Sequence, residues 1–238
     1  MTSVKSTVAA LLVLAGLTGS AMAGPVTIAD YSADYLATSQ GQTRAAASAD
    51  GWNYMYCPTS GAMGTPANYV SLQGTGVTYF DYTAGGQWTS EVAGNEYLYI
   101  GKGNSPGLNT GLTGDSFAIA AYTIQAGEGG AVSIANGFLY NDGEDGNGIE
   151  LRVYVNNILK IGGDGTAKIV VTHSTPITGL GYALGTLTTG DTVYVAIGNN
   201  GATNFDDYHL GYQLTIPEPA SLALLGLGAL ALLRRRRN

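Results

Sequence analysis

Alternation of apolar and polar side chains is the feature that most restricts how this chain can fold. Across residues 148–156, Ile149, Leu151, Val153 and Val155 fall on one side of an extended strand, and Glu150, Arg152 and Tyr154 on the other. Glu150 is thereby expected to face solvent. Asn156-Asn157 then supplies a turn into residues 158–161, because Asn tolerates positive φ. Val193, Val195 and Ile197 repeat the pattern within 191–198, and 210–216 reads as a last strand. Segments 77–82, 97–100, 117–124, 131–140 and 168–173 are further strands, separated by Gly-Asp, Asn-Gly and Gly-Gly breaks. No segment sustains a 3.6-residue apolar period, apart from a weak Ala-rich stretch at 45–49. The expected fold is therefore all-β, a single β-sandwich of jelly-roll-like form. Roughly 190 residues between the apolar ends suit one such core rather than two domains.

The two ends stand apart from this pattern. Residues 1–23 carry Lys5, an apolar stretch from Val8 to Leu17, and the small-x-small triplet Ala21-Met22-Ala23, the form of a signal-peptidase site. They are expected to be a signal peptide cleaved after Ala23. At the other end, Ile216-Pro217-Glu218-Pro219-Ala220-Ser221 leads into an apolar run to Leu233 and then Arg234, Arg235, Arg236 and Arg237. Pro219 pre-sets φ for a first helical turn, and Leu and Ala are good helix formers. Fourteen residues from Ala220 to Leu233 give a helix of about 21 Å against the ~30 Å hydrocarbon core. Four adjacent arginines do little for a soluble helix, whereas positive charge is retained on the cytoplasmic side of a membrane segment. The tail is thus expected to be a short transmembrane helix with a cytoplasmic basic anchor. The domain organisation that follows is signal peptide 1–23, β-sandwich ectodomain 24–215 and sorting tail 216–238.

Pro217, Glu218, Pro219, Ser221 and the Arg234–Arg237 cluster together resemble the PEP-CTERM sorting signal of Gram-negative, mostly biofilm-forming bacteria. The resemblance implies recognition by exosortase, a membrane-embedded transpeptidase-like enzyme that processes such proteins near the Pro-Glu-Pro. This chain would be its substrate and not itself the catalyst. It would be an inner-membrane-anchored precursor, with its ectodomain outside the cytoplasm, destined for the cell surface or extracellular matrix. Signal peptidase and exosortase are the processing partners implied. A second resemblance covers the middle. Gly51-Trp52-Asn53-Tyr54, Gly64-Thr65-Pro66-Ala67-Asn68-Tyr69, Asp145-Gly146-Asn147-Gly148 and Gly198-Asn199-Asn200-Gly201 look like the jelly-roll ectodomains of planctomycete-type PEP-CTERM proteins. Those domains are similar to carbohydrate-binding modules.

Charge narrows the partners. Residues 24–217 hold five basic and sixteen acidic residues, a net charge of −11. Nucleic acid is not expected as a partner, because no basic patch exists to displace counterions from phosphates. Cys57 is the sole cysteine, so no intramolecular disulfide can form. A thiol nucleophile would need His173 or His209, both more than a hundred residues away; a small buried thiol, or one available for an intermolecular bond, is the plainer reading.

Three groups of residues could carry chemistry. The acidic loop with Asp142, Glu144, Asp145 and Asn147 offers the hard oxygens that Ca²⁺ takes, although it lacks the EF-hand register and a solvated turn is the plainer reading. Trp52, Tyr54 and Trp88 are candidates for stacking on sugar rings, with a sandwich core as the competing use of the same aromatics. Glu91, Glu96, Glu128 and Glu150 are the carboxylates a glycosidase could draw on, but nothing in the spacing pairs them across a cleft. No nucleophile elbow, zinc motif or phosphate loop occurs. Two readings follow. The first is an exported, non-enzymatic surface or matrix protein sorted by its tail and binding exopolysaccharide. The alternative is a secreted carbohydrate-active enzyme on a jelly-roll scaffold.

Overall fold

The structure is a computed structural model, and it describes residues 24–35, 48–71, 87–89, 99–101, 107–108, 117–141, 147–163, 167–198, 200–201 and 206–218. The expected signal peptide, the apolar run 220–233 and the arginine cluster lie outside these residues. Among the described residues no helix is long and apolar enough to cross a membrane. The chain divides into two units. One, Thr27–Ile216, holds the sandwich; the other, 1–26 with 217–238, contributes only residues 24–26, 217 and 218 to the description.

Two antiparallel-rich sheets make up the first unit. One runs in the order β1 (Val26–Asp30), β14 (Asp206–Ile216), β8 (Gly130–Asn141), β12 (Ile177–Leu187), and β6 (Gly107–Leu108) also pairs with the start of β14. The other runs β10 (Ile158–Ile161), β9 (Ile149–Val155), β13 (Thr192–Gly198), β7 (Phe117–Thr123), β2 (Trp52–Cys57), β3 (Val70–Ser71). The seventh strand of this sheet, β11 (Ile169–Val171), shares the free edge of β9 with β10: β10 pairs with Val153–Val155 and β11 with Ile149–Leu151. A separate pair, β4 (Gln87–Thr89) and β5 (Tyr99–Gly101), completes the strands. Among the described residues, α1 spans Tyr31–Tyr35.

The alternation read from sequence sets the core. Ile149, Leu151, Val153 and Val155 point inward with Val193, Val195 and Ile197 of the neighbouring strand. From the opposing sheet come Val132, Ile134, Leu139, Leu210, Tyr212 and Leu214. The Asn156-Asn157 turn is present, with Asn156 at φ 53°. Each buried aliphatic side chain of this kind contributes roughly 1.5–3 kcal/mol relative to exposure.

Glu150 corrects the sequence expectation. It is 0% exposed and every residue of β9 is buried, so the strand has no solvent face. The reason is a second, smaller cluster on the far side of that sheet, where Cys57, Tyr69, Phe117, Ile119 and Ala196 pack together with Ala62 and Met63. The segment between β2 and β3 folds back in two 3-10 turns, Ser60–Ala62 and Pro66–Asn68, and Gly64 N donates to the Tyr69 hydroxyl at 2.8 Å.

Candidate functional site

Trp52 and Tyr54 are part of the core and cannot be the glycan-stacking rings expected of them. They are 1% and 0% exposed. Trp52 meets Tyr122 edge-on at 5.0 Å and Tyr31 at 5.8 Å, and its indole Nε1 donates to Asp34 Oδ2 at 3.0 Å. Asp34 Oδ2 also accepts from the Asp30 main-chain N–H, and Tyr31 stacks on Tyr212 at 5.2 Å. The period-2 pattern places both rings correctly on one face of β2; that face is the interior. Trp88 lies on β4, and its side chain is outside the described set.

The acidic loop is only partly described. Asp142, Glu144 and Asp145 fall outside the described residues, whereas Asn147 is placed at the entry to β9. Asn147 Nδ2 donates to the Asn200 carbonyl, and Asn200 Nδ2 donates back to the Asn147 carbonyl, each at 2.9 Å. The pair ties the turn before β9 to the turn after β13. Among the described residues no cluster of three His, Cys, Asp or Glu could hold a metal ion.

Two carboxylates considered for glycoside chemistry are engaged in folding contacts. Glu128 accepts from the Tyr122 hydroxyl (2.8 and 3.0 Å) and from Gln125 N (2.7 Å), closing the turn between β7 and β8. Glu150 Oε1 meets Arg152 Nε at 2.5 Å, and its Oε2 faces Lys168 Nζ at 2.9 Å. The Arg152 guanidinium lies 4.8 Å over the Phe117 ring. Glu91 and Glu96 lie outside the described residues. Cys57 is buried with its thiol toward the Thr59 carbonyl at 3.2 Å; burial pushes its pKa up, against smaller lowering by that hydrogen bond and by Arg152. The buried placement agrees with the first of the two expectations for this thiol, and the raised pKa lowers its thiolate fraction.

An exposed aromatic group does exist, at residues sequence reasoning passed over. Phe138 and Tyr140 on β8 are 38% and 36% exposed, with Leu139 between them fully buried. Their rings are 6.0 Å apart at 29°. Across the sheet, His209 of β14 pairs with Tyr140 and lies under it at 4.3 Å and 15°. Phe138 pairs with Gly211, where a Cβ would collide with the Phe138 ring; the missing side chain is what lets that ring lie flat across β14. The signal was in the alternation of 138, 139 and 140, but strand order was needed to bring His209 and Gly211 beside it.

Fold and tail together describe a β-sandwich protein that closes on a sorting segment. That segment, residues 215–237, matches the PEP-CTERM protein-sorting motif, which implies an exosortase-sorted extracellular protein made as a membrane-anchored precursor in Gram-negative bacteria. The match is confined to the tail; no curated protein matches the chain. Among solved structures, the chain is similar to the crystal structure of the Agl-KA catalytic domain at 20% identity, over 48% of this chain and 22% of that one, with a TM-score of 0.28. A superposition that loose carries no argument about fold or chemistry.

Proposed function

We propose that the protein is an exported, non-enzymatic component of the cell surface or extracellular matrix, whose sandwich binds exopolysaccharide. A signal peptide ending at Ala23 directs export, and the tail holds the precursor in the membrane until exosortase acts at Pro217-Glu218-Pro219. Ser221 belongs to the recognised segment, and Arg234 to Arg237 hold the helix end on the cytoplasmic side. The observation that carries this reading is the sorting-motif match over 215–237, which begins inside the last strand of the sandwich. On this reading, processing detaches the sandwich from the membrane. Its support on the chemical side is the use of Glu128 and Glu150 in folding contacts.

Replacing Pro217, Glu218 and Pro219 together with alanine tests it in a host with active exosortase. Full-length precursor should accumulate in the membrane fraction, with the intact mass of the released form lost from the medium. Release of the mutant at the normal rate and mass overturns the proposal.

A further inference from the structure

The outer face of the β1–β14–β8–β12 sheet carries more than the aromatic group. Beside Phe138, on the same strands, Asn136 Nδ2 donates to Gln213 Oε1 at 2.7 Å, and Gln213 Nε2 donates to Asp30 Oδ2 at 2.7 Å. Asp30 and Gln213 each neighbour an inward core residue in sequence, Ala29 and Leu214, which puts them on the opposite face. Asn136 adopts φ 51° at an irregularity in the β8–β14 register, which turns its amide onto the outer face. The sheet therefore presents a row of rings, Tyr140 and Phe138 backed by His209, continuing into a row of amides and one carboxylate. The two rows meet at Gly211, which the Phe138 ring covers.

We infer that this face is a binding surface for a neutral polysaccharide, with Tyr140 and Phe138 stacking on sugar rings and Asn136, Gln213 and Asp30 bonding their hydroxyls. The inference rests on the exopolysaccharide reading above and gives it a site. Sugars present apolar C–H faces and polar edges, and the two rows supply a partner for each. An apolar protein or lipid partner would bury the amide–carboxylate row against groups that cannot hydrogen-bond to it, at a cost. A polyanionic glycan would meet Asp30 and a segment of net charge −11. Neutral chains fit both constraints.

The test is affinity electrophoresis of the full chain in mild detergent, through gels containing β-glucan, mannan or xylan, with alginate as the polyanion. At least one neutral glycan should retard the wild type and alginate should not. Tyr140→Ala and Phe138→Ala should each weaken binding about tenfold, while Tyr140→Phe, which keeps the ring, should bind like wild type. Tyr182→Ala is the control: Tyr182 is 44% exposed but pairs with the core residue Ile134, off this face. Undiminished binding by natively folded Tyr140→Ala and Phe138→Ala overturns the site while leaving the exopolysaccharide reading standing. A wild type retarded by none of the glycans overturns both, and retention by alginate alone overturns the neutral class. Sorting, read separately from the mass of the released form, is untouched by any of these results.

Discussion

Glu150 and Arg152 stand two residues apart on the same face of β9 and form a 2.5 Å ion pair with side-chain exposures of 0% and 4%. Lys168, immediately before β11, closes the second carboxylate oxygen. One anion thus answers two cations beneath the 3-10 segment, and the Arg152 guanidinium reaches over Phe117 to the Ser60 carbonyl. A lone carboxylate here would be unstable; so would either cation. Within the trio, Arg152 is the member that reaches from the second sheet to the 57–71 segment.

Removing the carboxylate should therefore be costly. Glu150→Ala leaves Arg152 buried without its counter-charge, and the expected loss is roughly 3–5 kcal/mol in urea unfolding. Glu150→Leu combined with Arg152→Met should lose less than the sum of its parts, since the cation that then loses its carboxylate is Lys168, whose side chain is 26% exposed. A double-mutant cycle with coupling below about 0.5 kcal/mol would show the pair to be incidental.

Trp52 gives a second prediction, one that separates a core ring from a binding ring. Trp52→Ala removes a fully buried indole and orphans one acceptor bond at Asp34, so a loss of about 3–5 kcal/mol is expected. Polysaccharide affinity of the fraction still folded should not change. Loss of affinity without loss of stability would put Trp52 back on the surface.

These residues also show how far the sequence could be read. The sequence reading located β7, β8, β9, β13 and most of β14, most clearly β9 and β13, where inward Val, Ile and Leu recur at every second position. It missed β12, whose residues 177–187 include Gly179, Gly181 and Gly185 and show three register shifts against β8. A strand built on glycine at a sheet edge has no apolar period to display. It also missed β1 and α1. Glu150 was misplaced for a related reason: period two says which residues share a face, and only tertiary structure says what covers it. The same limit applied to the rings. Trp52 and Tyr54 were rightly put on one face, but Phe138 and Tyr140 were the ones left exposed.

Named groups bear on stability toward both ends of the pH range. Burial pushes the pKa of Tyr31, Tyr122 and Tyr212 well above the usual phenol value, and that of Tyr69 up to about 12. At Tyr122, burial is reinforced by Glu128, since ionising the phenol would set two anions in hydrogen-bond contact. In each case the folded state favours the neutral form more than the unfolded chain does. Their contribution is complete below the unfolded value near pH ~10 and is lost as pH rises toward the folded values, about 12 for Tyr69. Asp191 works in the opposite sense. Hydrogen bonds from Asn156 Nδ2, Thr188 N and Thr188 Oγ1 hold its pKa down, so its contribution is present above the unfolded carboxylate value and fades as pH falls. The urea midpoint should thus decline on both sides of neutrality. Above pH ~10, tyrosinate absorbance from these rings should appear together with loss of near-ultraviolet circular dichroism, because they ionise when the sandwich opens. Tyr122→Phe should make the alkaline decline shallower, and Asp191→Asn the acid one. Titration of all sixteen tyrosines like free phenols while the near-ultraviolet signal stays native would contradict the buried placement of these four.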